Sequence, residues 1–186
     1  MAHSDRPDPE NLTLENGARA ATAAAVIAAL DDMGFEHHTI VHRPLYTVED
    51  AKQIDYTLTG AHTKNLFLRN KKGRMFLVVL QQDRQLDLKQ LRTQLAAPGG
   101  QLAFASSERM ARYLGVVPGS VTPLAAINDH SGAVRLVIDQ TLLQQEWIWL
   151  HPCRNTHSTR LRVSDLLDAL ARWQHEPVLL DMDNAS

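Results

Sequence analysis

Cysteine occurs once in 186 residues, so no internal disulfide can staple the chain, and nothing in its cysteine usage points to secretion. Long hydrophobic runs are also missing. No stretch approaches the ~20 apolar residues that a membrane-spanning helix needs. The alanine-rich segment at 18–30 follows acidic residues, not the basic leader of a signal peptide. A cytoplasmic location is therefore expected, with neither a membrane nor DNA as partner. Aromatic residues are scarce at 5%, yet apolar residues as a whole reach 44%, enough for one packed domain.

A strong charge of one sign is equally absent, since the formal total is only −2. Its distribution changes its meaning. Residues 1–16 carry Asp5, Asp8, Glu10 and Glu15 against Arg6 alone, a net of −3. Residues 176–186 carry Glu176, Asp181 and Asp183 without a base, another −3. The span between them holds 18 basic and 14 acidic side chains, a net of +4. A mildly basic body permits phosphate contacts without gripping nucleic acid indiscriminately. The first dozen residues show no apolar period, so 1–16 reads as a disordered acidic tail. Residues 17–175 read as one folded domain and 176–186 as a C-terminal tail, with no internal repeat or dividing linker.

What is present alternates between helix and strand signals. The alanine-rich stretch 16–33 has strong helix propensity, with Gly34 as its C-terminal cap. A short strand is expected at 37–41. Thr47 then starts a short helix to about Ile54, with Glu49 and Asp50 in its first turn. The clearest local signal is a hairpin, with strands at 65–69 and 75–80 around Asn70-Lys-Lys-Gly73. The second strand is nearly all apolar and should be buried on both faces. Helices follow at 86–95 and from Ser106 or Ser107 to Leu114, the latter ended by Gly115. Residues 115–123 are too rich in glycine and proline for regular structure and form a shaped loop. Strands at 134–138, 146–150 and 160–163 precede a last helix at 164–175. This order predicts an α/β domain with a sheet of mixed direction and helices outside it.

Several familiar chemistries lack their signatures. The nine histidines invite a metal reading, but adjacent His37 and His38 would point to opposite faces of a strand. His151, Cys153 and His157 could supply nitrogen and sulfur donors, yet no second cysteine pair or His-x-x-x-His helix supports them. No metal site is expected. No Gly-x-Ser-x-Gly elbow marks a serine nucleophile, and Cys153 carries no sign of an activated thiol. Lys64 is more informative, because it stands at the start of an apolar hairpin strand. Such a lysine either projects its ammonium into a cleft or is a solvated strand-edge side chain. His151 and Asn155 similarly follow a buried strand, as site residues or as a polar turn. Arg69, Lys71, Lys72 and Arg74 gather at the hairpin tip, and Arg109 and Arg112 lie three apart on a helix. Both groups could grip phosphates; both could equally be solvated surface.

Three motifs occur in order: Gly60-Ala-His-Thr-Lys-Asn-Leu-Phe-Leu-Arg69, Leu114-Gly-Val-Val-Pro-Gly-Ser-Val-Thr-Pro123 and His151-Pro-x-x-Asn155. Together, from about Ala20 to Trp173, the chain resembles the YbaK/prolyl-tRNA-synthetase-associated editing family. Within it, the chain is similar to the freestanding alanyl-tRNA(Pro) deacylases of the ProXp-ala (PrdX) type. The resemblance implies a mixed sheet, partly closed like a barrel and surrounded by helices. It implies that Lys64 is the main functional lysine, near the substrate's ester. Gly115, Val116, Val117 and Pro118 match the family's glycine–proline loop bounding the site near the aminoacyl group and terminal adenosine. His151 and Asn155 match a motif lining the same pocket, while Leu45, Tyr46 and Thr47 correspond to a segment shaping the amino-acid pocket. Asn65, beside Lys64, is a further substrate-binding candidate. The implied partner is the acceptor end of an aminoacylated proline tRNA, with transient contact to prolyl-tRNA synthetase or an elongation factor. No cofactor is implied. The acidic N-terminal extension lies outside the family core, and Cys153, Arg154 and His157 stand where blander residues are expected.

The implied chemistry is coherent. A proline-activating enzyme cannot exclude alanine by size, since each missing methylene is worth only ~1–3 kcal/mol. A second site that admits alanine and rejects proline corrects the remainder. Ester hydrolysis needs a placed water and stabilisation of the oxyanion, with no covalent nucleophile. Lys64 would orient the ester and supply charge, and backbone N–H groups of the 115–118 loop would donate to the oxyanion. Two alternatives stand beside this reading. One is the same hydrolysis on serine, cysteine, threonine or a non-protein amino acid. The other is a non-catalytic module that binds tRNA or a ligand.

Overall fold

In the computed structural model, residues 8–45, 47–54, 56, 58–96 and 98–182 are described. Helix α1 (Ala23–Asp32) leads to strand β1 (His37–Val41) and the short helix α2 (Val48–Lys52). The hairpin of β2 (Ala61–Arg69) and β3 (Met75–Gln81) is followed by α3 (Leu88–Gln94) and a two-residue strand β4 (Ala103–Phe104). Helix α4 (Ser107–Arg109) continues into a wider π turn at Met110–Leu114. Strands β5 (Val134–Asp139), β6 (Trp147–Leu150) and β7 (His157–Arg162), helix α5 (Val163–Arg172) and strand β8 (Val178–Leu180) complete the chain.

The strands form one mixed sheet in the order β1-β7-β6-β2-β3-β5-β8, with β4 paired to the far end of β2. The domain is α/β, as its sequence predicts. The expected partial closure into a barrel does not occur. β1 and β8 are the two ends of an open path, so the sheet has edges.

β3 shows why its sequence is apolar throughout. Met75, Leu77 and Val79 join Val26 and Leu30 of α1 and Leu166 and Leu170 of α5 in one core. Phe76, Val78 and Leu80 turn the other way and pack with Leu68, Leu91 and Leu95 around α3. Successive side chains on a strand face opposite sides, so a strand covered on both faces must be apolar at every position. Each fully buried Leu, Val or Phe here stabilises the fold by about 1.5–3 kcal/mol.

Both chain ends differ from expectation. Helix α1 starts at Ala23, capped by the Thr22 hydroxyl accepting from the Ala25 N–H at 3.2 Å, and not at residue 16. Asn16 and Gly17 (φ +82°) instead turn the chain so that Leu14 N–H donates to the Ala18 carbonyl at 2.8 Å. An Asn-Gly turn outweighs the helix propensity of the neighbouring alanines. Leu12 and Leu14 are buried, so residues 8–16, read as tail, are packed against the body. β8 runs parallel to β5, and Met182 is buried, so the tail assigned to 176–186 contributes a strand.

Candidate active site

Among the described residues, β2 has no continuous partner on its outer edge. β6 pairs with it only at Ala61 and His62, and β4 only at Leu68 and Arg69. The stretch between lies open. The Phe67 carbonyl accepts from the Ala105 N–H on the β4 side at 2.9 Å, whereas the His62 carbonyl accepts from Gln82 N–H on the β3 side at 2.9 Å. Because backbone polar groups alternate along an antiparallel strand, Asn65 turns its N–H and C=O groups into the gap. A cleft of about 320 Å³ occupies this gap. That is the lower end of the size range for small-molecule sites, about 300–1,000 Å³.

Lys64 lines the cleft, and its Nζ donates to the Arg84 carbonyl. The ammonium is thus held on a fixed acceptor and is not a freely solvated edge. Arg84 is anchored in turn: its Nε lies 3.1 Å from the fully buried Asp139 Oδ2. That oxygen makes no aligned hydrogen bond, so the attachment is one of charge. Asp139 Oδ1 accepts from Thr141 N–H at 3.1 Å. Lys64 is therefore braced from β5 through the 82–87 turn.

His151 lines the same cleft. Its Nδ1 donates to the His157 carbonyl at 2.8 Å. A carbonyl only accepts, so the neutral ring carries its proton on Nδ1 and offers Nε2 as an acceptor. Burial is the main cause holding His151 below its usual pKa, with the nearby His42 and His157 adding to it. Leu45 and Thr47 also line the cleft, as does Pro118. A smaller hollow of about 40 Å³ adjoins it and shares Leu45, Asn65 and His151 with the cleft. Asn65 Oδ1 is buried without a hydrogen-bond partner.

Other candidates are placed elsewhere. Asn155 holds the walls: its Nδ2 donates to the Leu45 carbonyl at 3.0 Å, and its N–H donates to Ser120 Oγ at 3.1 Å. The loop glycine is occupied by structure. Gly115 (φ +60°) ends α4, and a Cβ there would lie 2.5 Å from Ala20 Cβ and 2.7 Å from Asn128 Nδ2. Val116 is fully buried in the core, and Val117 does not line the cleft. The predicted oxyanion role of the 115–118 loop therefore gives way to Gly119 and Pro118 as the turn that meets the cleft. Tyr46 lies outside the described residues.

The cations do not form one patch. Lys71, Lys72 and Arg74 are exposed at the hairpin tip, with Arg69 half-buried at the end of β2. The tip begins six residues beyond Lys64, roughly 20 Å along the strand. Arg109 turns its guanidinium to Met75 Sδ at 3.8 Å. Arg112 lies 3.8 Å from Glu15 and 3.6 Å from Glu108, so its charge is locally offset.

The structure adds residues that sequence reasoning passed over. Gln82, Phe104 and Met110 line the cleft, and Arg84 and Asp139 support Lys64. Gln82 had a readable signal, the same one that drew attention to His151: a polar residue directly after a buried strand. Cys153 is fully buried, and burial pushes its thiol up to about 12, which leaves it a packing residue. Among the described residues no three His, Cys, Asp or Glu side chains are grouped to hold a metal ion.

An α/β domain with a ligand-sized cleft at a gap in its sheet, lined by a braced lysine and a neutral histidine, defines the class of protein. A sequence profile described as "Aminoacyl-tRNA editing domain" matches residues 42–169, and the chain belongs to that family. It is 37% identical over 143 residues to the prolyl-tRNA editing protein ProX of Acetoanaerobium sticklandii, covering 76% of this chain and 86% of that one. It is also 37% identical over 156 residues to the prolyl-tRNA synthetase associated domain-containing protein 1 of Danio rerio, covering 83% and 84%. A solved structure of a candidate trans-editing enzyme for prolyl-tRNA synthetase superposes with a TM-score of 0.66 at 20% identity, covering 87% and 97%. At that identity the likeness speaks for the fold alone.

Proposed function

We propose that the protein is a trans-editing deacylase that hydrolyses the ester of mischarged alanyl-tRNA(Pro). The observation that carries this reading is the cleft at the β2 gap, lined by both Lys64 and His151. The names of the relatives, which concern prolyl-tRNA editing, support the choice of tRNA.

The groups around the cleft support ester hydrolysis. The Lys64 ammonium, held by the Arg84 carbonyl, places positive charge beside the ester. The Asn65 N–H, turned into the strand gap, donates to the carbonyl oxygen as it becomes an oxyanion. A rigid strand is better suited to this task than a mobile loop. The water attacks the ester carbon and gives its proton to His151 Nε2, which is neutral and therefore able to accept it. Collapse of the tetrahedral intermediate expels the ribose oxygen, which takes that proton. Free alanine and tRNA leave.

A second reading is favoured by one observation. The 40 Å³ hollow beside the cleft is lined by Asn65, whose buried Oδ1 has no partner and is an acceptor suited to a side-chain hydroxyl. On this reading the amino acid removed is serine. The test of both is deacylation by purified protein. Lys64→Ala should stay folded, as judged by its circular dichroism, and lose most release of alanine from alanyl-tRNA(Pro). Unchanged turnover would remove Lys64 from the mechanism, and faster release of serine than alanine would select the second reading.

A further inference from the structure

Phe104 is out of keeping with its surroundings. It is a large apolar side chain, 63% exposed, on a strand of only two residues. Exposure of a single aromatic is common, but this one forms part of the wall of the cleft. β4 holds it there by pairing, with Phe104 opposite Leu68 of β2. Leu68 and Lys64 differ by an even number of residues, so they share a face of β2. They are four residues apart, about 13 Å along the strand. That separation is comparable to the reach of an aminoacyl nucleoside from its ester to the far edge of its base.

The chemistry around Phe104 suits one occupant. An exposed, flat apolar ring at the mouth of a cleft is how proteins bind single-stranded nucleic-acid ends, by stacking a base on its face. A cleft of about 320 Å³ has room for the aminoacyl group and ribose, which leaves the base at the mouth.

We infer that Phe104 is the stacking platform for the terminal base of the tRNA acceptor end. This rests on the deacylase reading for the identity of the ligand. The stack reads no base identity, because every base presents a π face. It fixes the nucleoside so that the ester reaches Lys64 and Asn65.

Two measurements test this. With alanyl-tRNA(Pro) as substrate, Phe104→Ala should raise KM by roughly 5- to 150-fold, the range expected for losing one base stack. Phe104→Leu should behave like Phe104→Ala, because it keeps apolar bulk and loses the ring, whereas Phe104→Tyr should restore the wild-type KM. In Phe104→Trp, the new indole should be quenched on adding a CCA trinucleotide, a signal that needs no catalysis. Quenching without any deacylation would keep the base platform and sink the deacylase reading. Deacylation with a wild-type KM in Phe104→Ala and Phe104→Leu, or no quenching in Phe104→Trp, would overturn the platform.

Discussion

Replacing Gly115 by alanine separates two roles for the glycine–proline loop. Gly115 has φ +60°, and a side chain there costs about 1–2 kcal/mol from backbone conformation alone. The new Cβ would also stand 2.5 Å from Ala20 Cβ and 2.7 Å from Asn128 Nδ2. Asn128 cannot move freely. Its Nδ2 donates to the Leu114 carbonyl at 2.9 Å, and its Oδ1 accepts from Ala21 N–H at 2.8 Å. Losing satisfaction of one such buried group costs about 1–3 kcal/mol. The expected total is a destabilisation of about 2–5 kcal/mol. Urea unfolding followed by far-ultraviolet circular dichroism measures it, as a lower midpoint at unchanged slope. A companion Ala20→Gly in the same chain removes the closest contact and should recover about 1 kcal/mol. A Gly115→Ala protein within about 0.5 kcal/mol of wild type, the range of an ordinary surface change, would refute this account of the loop.

Further expectations concern the brace and the histidines. Asp139→Asn leaves the Arg84 guanidinium without its buried counter-charge, which should cost about 3–5 kcal/mol in urea unfolding and lower kcat by loosening Lys64. A variant with wild-type stability and kcat would disconnect Asp139 from the site. His62, His151 and His157 all sit below their usual value of 6.5, each chiefly because burial disfavours the charged ring. The unfolded chain therefore takes up these protons first as pH falls. Their contribution to stability is complete above about pH 6.5 and declines below it, toward the depressed folded values. The melting temperature should fall between pH 7.5 and 5, and less steeply in His151→Gln. A melting temperature that rises across that interval would contradict the assignment of neutral, buried rings.

The fold was legible wherever one physical effect dominated. The hairpin of β2 and β3 follows from the Asn70-Lys-Lys-Gly73 turn between apolar runs, and β3 is buried on both faces as its sequence requires. α4 ends at Gly115, as the sequence indicates, in the left-handed conformation. Legibility failed where a local preference met a tertiary one. The alanines after Gly17 favour helix, but the Asn16–Gly17 turn and the packing of Ala20 against Gly115 hold them in a loop. β8 is too short to announce itself and exists because β5 offers a free edge. Openness of the sheet depends on which strands pair, and no local pattern carries that.

Several residues that meet at the cleft were legible in the sequence, and how they are held there was less so. Lys64 and His151 line the cleft together, and so do Leu45, Thr47, Asn65 and Pro118. Gly115, Val116 and Asn155 support it from behind, and Phe104 reaches it because β4 pairs with β2. Two departures from the family pattern meet each other. Arg154, nearly fully buried, places Nε 2.7 Å from Glu10 Oε1, so the acidic extension is fastened beside the 151–155 motif. Neither residue explains the other in sequence, since 144 positions separate them.

The most direct measurement is release of labelled amino acid from proline tRNA under single-turnover conditions, with alanyl and prolyl esters compared side by side. The account predicts rapid loss of alanine that depends on Lys64, with the prolyl ester left intact. Tight binding of alanyl-tRNA(Pro) without any release, in the wild-type protein, would contradict it.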